Sequence, residues 1–211
     1  ESLFGDKFPK QPYKSLAVLG AGPIGVEFAH VFDSAGTEVT ILQHNVRLVP
    51  KEDADISEHL LNNYRERGIN VLLNQDTVEI RQEDGLKVVV TKDRTTGEIT
   101  ETKVEEILVA AGIRPAVEEL HLENTGIETR PKGWIKTNEF LETSVDGIYA
   151  LGDVNGEPAF RHRANYEADI IAHNLFYATS EDDYRWARYD TLPKVTFSYP
   201  EIGSVGLTEA E

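Results

Sequence analysis

Leu16-Ala17-Val18-Leu19-Gly20-Ala21-Gly22-Pro23-Ile24-Gly25-Val26-Glu27-Phe28 is the stretch on which the reading of this chain turns. Its first four residues form a short apolar run that stops at glycine, the pattern of a buried strand. From Pro23 to Ala35, apolar Ile24, Phe28, Val31, Phe32 and Ala35 recur at helical spacing. Between strand and helix lies G-x-G-x-x-G, with a separate task for each glycine: Gly20 permits the tight turn, Gly22 lets a pyrophosphate approach the backbone, and Gly25 lets the helix pack closely on the sheet. Free N–H groups and the positive end of the helix dipole then favour phosphate. A lone glycine motif is weak evidence, but a strand before it and a helix after it make Gly20, Ala21, Gly22, Pro23, Ile24 and Gly25 a candidate dinucleotide site.

Working outward, Gly36 stops the helix and Val39 to Leu42 reads as a second buried strand. Asp53 to Arg67 returns to helix, with Ile56, Leu60, Leu61 and Tyr64 on one face, and Asn70 to Leu73 makes a third strand. The order βαβαβ with short connections predicts a parallel sheet covered by helices. The second strand ends at Gln43, about 20 residues past the glycines, where an acidic residue normally holds the ribose hydroxyls of NAD. Here the side chain is neutral, and His44 and Arg47 follow. Donor or cationic groups at that point accept a 2′-phosphate, which tilts the reading mildly toward NADPH over NADH; the same two residues read equally well as exposed loop.

Three alternating β-rich runs follow, Thr77 to Gln82, Leu86 to Lys92 and Thr100 to Glu105, separated by turn residues, as in an antiparallel meander. Ile107 to Ala110 is another apolar strand, and Gly112 and Pro115 mark an exit, so a domain boundary is expected near Pro115. Beyond it, Gly147 to Leu151 reads as a strand closing on Gly152-Asp153, and Arg163 to Phe176 as a helix. Val195, Phe197 and Tyr199 alternate with polar residues as in a half-buried strand. Residues 1–12, with Pro9 and Pro12, read as an entry linker.

With 40% hydrophobic residues in 211, the chain can build a real core. No apolar stretch approaches the ~20 residues of a membrane span, and the N-terminus lacks a signal-peptide layout, which argues against a membrane partner. The 21 basic and 37 acidic residues leave a net charge of −16, which repels nucleic-acid backbones. Zero cysteine excludes disulfides, thiolate metal sites and a thiol nucleophile within these residues, and points to the cytoplasm. Zero methionine and a start at Glu1-Ser2-Leu3 suit a processed or truncated product.

Four segments together resemble the pyridine nucleotide-disulfide oxidoreductases, the family of dihydrolipoamide dehydrogenase, glutathione reductase and mercuric reductase. They are Gly20 to Phe28, Ala110-Ala111-Gly112-Ile113-Arg114-Pro115, Gly147-Ile148-Tyr149-Ala150-Leu151-Gly152-Asp153-Val154, and Pro193 to Glu209. In that family an FAD domain is interrupted by an NAD(P) domain, resumes, and is followed by an interface domain. This chain resembles the central part. The fold class implied is α/β: a Rossmann-type βαβ NAD(P)-binding domain with an antiparallel β-meander, a partial FAD-binding domain, and the start of an interface domain. The boundaries expected are 13–115, 116–188 and 189–211.

The resemblance implies cofactors FAD and NAD(P) and sites for both. Gln43, His44, Val78 and Gly112 join the glycine turn on the dinucleotide side, and Glu27 matches the family glutamate near the nicotinamide amide, although an isolated helical glutamate reads as a solvated face. Pro23 stands where several members have a gating tyrosine. Gly152 and Asp153, by themselves only a strand-end turn, match the flavin ribityl contact. Ala159, Phe160, Arg161 and His162 match the segment passing the isoalloxazine ring, although His162 alone reads as a surface residue. The family's redox cysteine pair and interface histidine do not occur here, so no catalytic residue and no metal site is assigned. The implied parent is a homodimeric oxidoreductase passing hydride between NAD(P)H and FAD and on to a disulfide or small-molecule acceptor, with the fragment alone inactive. The alternatives are a cysteine-free quinone-reducing relative and an isolated dinucleotide-binding module.

Overall fold

The computed structural model describes residues 10–156 and 159–211. From its N-terminal side the chain runs β1 (Ser15–Leu19), α1 (Pro23–Ser34), β2 (Glu38–Leu42), α2 (Ala54–Glu66), β3 (Asn70–Leu72), β4 (Gln75–Glu83), β5 (Leu86–Asp93), β6 (Ile99–Val104) and β7 (Glu106–Val109). It continues through α3 (Arg161–Phe176), β8 (Lys194–Thr196) and β9 (Ile202–Ser204). A four-stranded sheet in the order β3-β2-β1-β7 is parallel throughout, and β4-β5-β6 form a separate antiparallel sheet.

β1 is apolar throughout its buried length because both its faces are covered. Leu16 and Val18 enter a cluster with Val26, Ala29 and Phe32 of α1 and Leu60 and Tyr64 of α2. Ala17 and Leu19 enter a second cluster with Leu42, Val89 and Val104, whose last two members come from the antiparallel sheet. The Rossmann-type α/β class and the meander stand as the residues were read.

The roll of α1 differs from the expected one. Gly25, Val26, Ala29 and Phe32 are buried, while Ile24 and Val31 remain 49% and 53% exposed. The glycine turn sets this roll, because Gly25 must face the Gly20 carbonyl and carries the 25-29-32 stripe inward with it. In α2, Ser57, Leu60 and Tyr64 are buried, Leu61 packs at the cluster's edge, and Ile56 is exposed. The Tyr64 hydroxyl donates to the Val26 carbonyl at 2.7 Å, fastening α2 to α1, and burial pushes this phenol well above its usual range.

The structure divides after Gly112 into two compact units. One holds the described residues up to Gly112 with Val195–Gly203 and Thr208–Glu211; the other holds Ile113–Lys194 with Ser204–Leu207. In the second, the expected strand from Gly147 to Leu151 reduces to a single antiparallel bridge between Glu142 and Tyr149. The left-handed glycines Gly147 (φ +75°) and Gly152 (φ +73°) bend the backbone at either end and stop a ladder from growing. α3 begins at Arg161, two residues before the expected start, so Arg161 and His162 lie in its first turn.

The alternation expected after residue 194 is reversed: Thr196 and Ser198 are buried, whereas Phe197 and Tyr199 are 62% and 55% exposed. Two contacts hold that orientation, the Phe197 N–H donating to Glu27 Oε1 at 2.8 Å and the Tyr199 ring stacking on His30. No helix among the described residues is long and apolar enough to cross a membrane.

Candidate functional site

Two of the three motif glycines are required by the protein's own atoms. Gly20 has φ +100°, and a Cβ there would lie 2.5 Å from the Ala110 carbonyl oxygen. A Cβ on Gly25 would lie 2.0 Å from the Gly20 carbonyl oxygen. Gly22 differs, for a Cβ there meets nothing within 4 Å. Nor does its backbone need glycine, since φ −73° and ψ −175° are open to any residue. No side chain caps the first turn of α1, and Pro23 occupies its opening.

Backbone and side-chain hydrogen bonds hold this turn in place. Gly20 N–H donates to the Leu42 carbonyl at 2.9 Å, Val49 N–H to the Ala21 carbonyl at 2.8 Å, and Ala110 N–H to the Leu19 carbonyl at 2.8 Å. The Gln43 side chain, 4% exposed, accepts from Ala21 N–H at 3.1 Å and donates to the Arg47 carbonyl at 3.1 Å. Gln43 is therefore a brace for the glycine turn. Gly112, with φ +127° and open space at its Cβ position, follows β7, so the loops after β1 and β7 lie side by side where the strand order reverses. That switch point is where open α/β sheets bind ligands.

The remaining residues expected on the dinucleotide side fall apart into several environments. His44 is exposed and its Nδ1 lies 2.7 Å from Asp76 Oδ1. The Arg47 guanidinium donates to the Pro50 carbonyl at 3.0 Å, which ties it down locally. Val78 sits at a bulge in β4, between Thr77 and Glu79, and is 54% exposed. Glu27 is engaged by the Phe197 N–H. Asp76 and Arg94 were not singled out in the sequence; they reach the end of β2 only through the pairing of the meander.

In the second unit, Gly152 and Asp153 open a short 3-10 turn, Gly152–Asn155, with Asp153 exposed. Its position is set by a buried network. Gly152 N–H donates to Glu167 Oε2 at 2.6 Å, and Glu167 Oε1 pairs with Arg163 at 2.7 Å and accepts from the Tyr189 hydroxyl at 2.6 Å. Asn155 bridges the two charges, accepting from Arg163 and donating to Glu167 at 3.3 Å. Glu167 is 0% and Arg163 1% exposed. The sequence offered one clue to this pair, the i,i+4 spacing of opposite charges on the stripe that continues to buried Ile170.

The expected flavin segment leads into α3. Phe160 stands at its N-cap position, no side chain caps the helix, and Ala159 and Arg161 are exposed. Phe160 stacks on His162 with ring centroids 5.3 Å apart. The His162 Nε2 atom is buried and, among the described residues, meets no hydrogen-bond partner. An uncapped helix start beside an orphaned imidazole nitrogen fits a polar, anionic group of the kind a flavin cofactor carries.

Burial, and then the hydrogen bond to Glu167, push the Tyr189 phenol up to about 12. An acid raised in the folded state stabilises the fold fully below its unfolded value of about 10, and that stability is lost as pH rises toward the folded value. Both tryptophans, Trp134 and Trp186, belong to the second unit, so their fluorescence reports it alone. Denaturant midpoints read by tryptophan fluorescence should fall between pH 10 and 12 in the native chain and fall less in Tyr189→Phe.

The family model described as Pyridine nucleotide-disulphide oxidoreductase matches residues 3–168. The chain is 34% identical over 199 residues to dihydrolipoyl dehydrogenase of Corynebacterium glutamicum, covering 94% of this chain and 42% of that protein. It is 36% identical over 203 residues to mercuric reductase of Staphylococcus aureus, covering 96% and 36%. The HOCl-induced flavoprotein disulfide reductase RclA from Escherichia coli superposes with a TM-score of 0.82 at 31% identity, over 96% of this chain and 44% of that one. LpdA from Mycobacterium tuberculosis does so with 0.83 at 25% identity, over 97% and 43%. The chain thus spans less than half the length of these relatives. Glycine turn, sheet order and family match converge: this chain belongs to the pyridine nucleotide-disulphide oxidoreductases.

Proposed function

We propose that these residues are the NAD(P)H-binding part, and half of the FAD-binding part, of a flavoprotein oxidoreductase. Hydride would pass between NAD(P)H and FAD and on to a disulfide-type acceptor. The nicotinamide and flavin supply the redox chemistry; the protein supplies binding, orientation and electrostatics. Gly22, Gly112 and the first turn of α1 would hold the dinucleotide pyrophosphate. Asp153, the start of α3 and His162 would hold flavin polar groups. With zero cysteine, no thiol of this chain takes part in the transfer. A homodimeric cytoplasmic parent belongs to the same proposal.

The observation that carries the reading is the contrast at Gly22: the protein's own atoms demand glycine at positions 20 and 25 but leave position 22 open. A ligand backbone approach is what remains to explain it. Gly22→Val is therefore expected to weaken NADH and NADPH binding roughly tenfold to a hundredfold, the scale of losing hydrogen bonds to a charged phosphate. Stability should change by no more than about 1 kcal/mol, the scale of a helix N-cap substitution. Calorimetric titration with a parallel melt checks both, and unchanged affinity would remove the glycine turn as the binding site.

A further inference from the structure

We propose that Asp76 sets the choice between NADH and NADPH by occupying, with its own carboxylate, the donors that would otherwise take a 2′-phosphate. This rests on the glycine turn being the dinucleotide site. Three segments meet at the end of β2. Gln43 braces the glycine turn through Ala21 N–H. Gln75 N–H donates to the Gln43 carbonyl at 2.9 Å and Asn74 N–H to the Asn45 carbonyl at 3.0 Å, which brings the start of β4 alongside His44. Arg94 N–H donates to the Asn74 carbonyl at 3.0 Å, which adds the turn after β5.

The side chains on this junction form one cluster. His44 Nδ1 donates to Asp76 Oδ1 at 2.7 Å, since an ionised carboxylate can only accept. Arg94 Nε lies 3.6 Å from the same oxygen, and its Nη1 donates to the His44 carbonyl at 3.4 Å. All three side chains are open to solvent, at 59% for His44, 49% for Asp76 and 41% for Arg94. Arg47, the other cation of this loop, is turned to the Pro50 carbonyl.

Two donors and one carboxylate thus stand at the strand end where the adenosine ribose is read. A ribose diol can donate to the Asp76 carboxylate, the task Gln43 cannot perform because its oxygen is engaged by Ala21. A 2′-phosphate faces the opposite situation: it is repelled by Asp76 and finds His44 and Arg94 already paired. The mild tilt toward NADPH read from His44 and Arg47 is therefore held in check by one residue from a different sheet.

The test is Asp76→Asn in the 211-residue chain, titrated calorimetrically with 2′,5′-ADP and 5′-ADP. The amide keeps the shape and removes the charge. Binding of 2′,5′-ADP is expected to tighten roughly tenfold, the scale of one partly screened surface charge, while 5′-ADP changes by no more than about twofold. Adding Arg94→Ala to Asp76→Asn should cancel the gain. Equal changes for both ligands, no change, or a gain that survives Arg94→Ala would each overturn the assignment while leaving the glycine-turn reading intact. A native chain that binds neither 5′-ADP nor NADH would instead remove that reading, and the role of Asp76 with it.

Discussion

Glu167→Ala is expected to lower the stability of the second unit by about 3–5 kcal/mol, the usual result of removing one partner of a buried ion pair. Arg163 would stay 1% exposed with its charge uncompensated. The Gly152 N–H, the Tyr189 hydroxyl and the Asn155 amide would each lose an acceptor. Against a typical domain stability of about 5–15 kcal/mol, that is about a fifth of the total at the least. Denaturation followed by the fluorescence of Trp134 and Trp186 reads this unit directly. Replacing the pair together, Arg163→Met with Glu167→Leu, should recover most of the loss, because an apolar pair of similar volume carries no desolvation cost. A midpoint for Glu167→Ala within experimental error of the native one would show that the network does not hold this unit together.

Gly20→Ala is the second large effect, expected to destabilise the first unit by about 2–6 kcal/mol. Roughly 1–3 kcal/mol comes from placing an L-residue at a strained left-handed backbone angle, and about 1–3 from overpacking. The angle is φ +100° and the collision is with the Ala110 carbonyl, 2.5 Å from the new Cβ. Because Ala110 N–H bonds Leu19 on the neighbouring strand, displacing residue 110 strains the β1–β7 pairing itself. Amide hydrogen exchange at Leu19 and Ala110 should accelerate, and dinucleotide binding should fall along with stability. Gly22→Val should lower binding alone. If both substitutions behaved alike, the division between a structural and a ligand-facing glycine would be wrong.

The features legible in the chain are those written over a few consecutive residues. The apolar run at Leu16, the glycine spacing from Gly20 to Gly25 and the helical and alternating periods that follow lead directly to the observed βαβαβ order and meander. Periodicity identifies an element's type but not its roll. Ile24 and Val31 have the right spacing for a buried face and are exposed, because the contact of Gly25 with Gly20 turns α1 by its own requirement. Phe197 and Tyr199 fail for a related reason: backbone capture by Glu27 and ring stacking on His30 outweigh the alternation of their own segment.

Side-chain pairing over long sequence separations was not legible. Gln43 looked like a missing ribose ligand and is a brace on Ala21, 22 residues away. Asp76, 32 residues from His44, carried no local signal at all. For Arg163 and Glu167 the i,i+4 spacing marks the pair, but the Gly152 turn, Asn155 and Tyr189 that close around them come from distant segments.

The sequence by itself determined the order and kind of the elements and the location of the glycine turn, since backbone sterics and hydrophobic period act over neighbouring residues. Only the tertiary structure decided which motif glycine the protein's own atoms leave free, which carboxylate meets His44 at the end of β2, and which buried charges position the Gly152 turn. Those depend on groups brought within about 3 Å hydrogen-bond reach by sheet pairing and helix docking, and no local pattern encodes that distance.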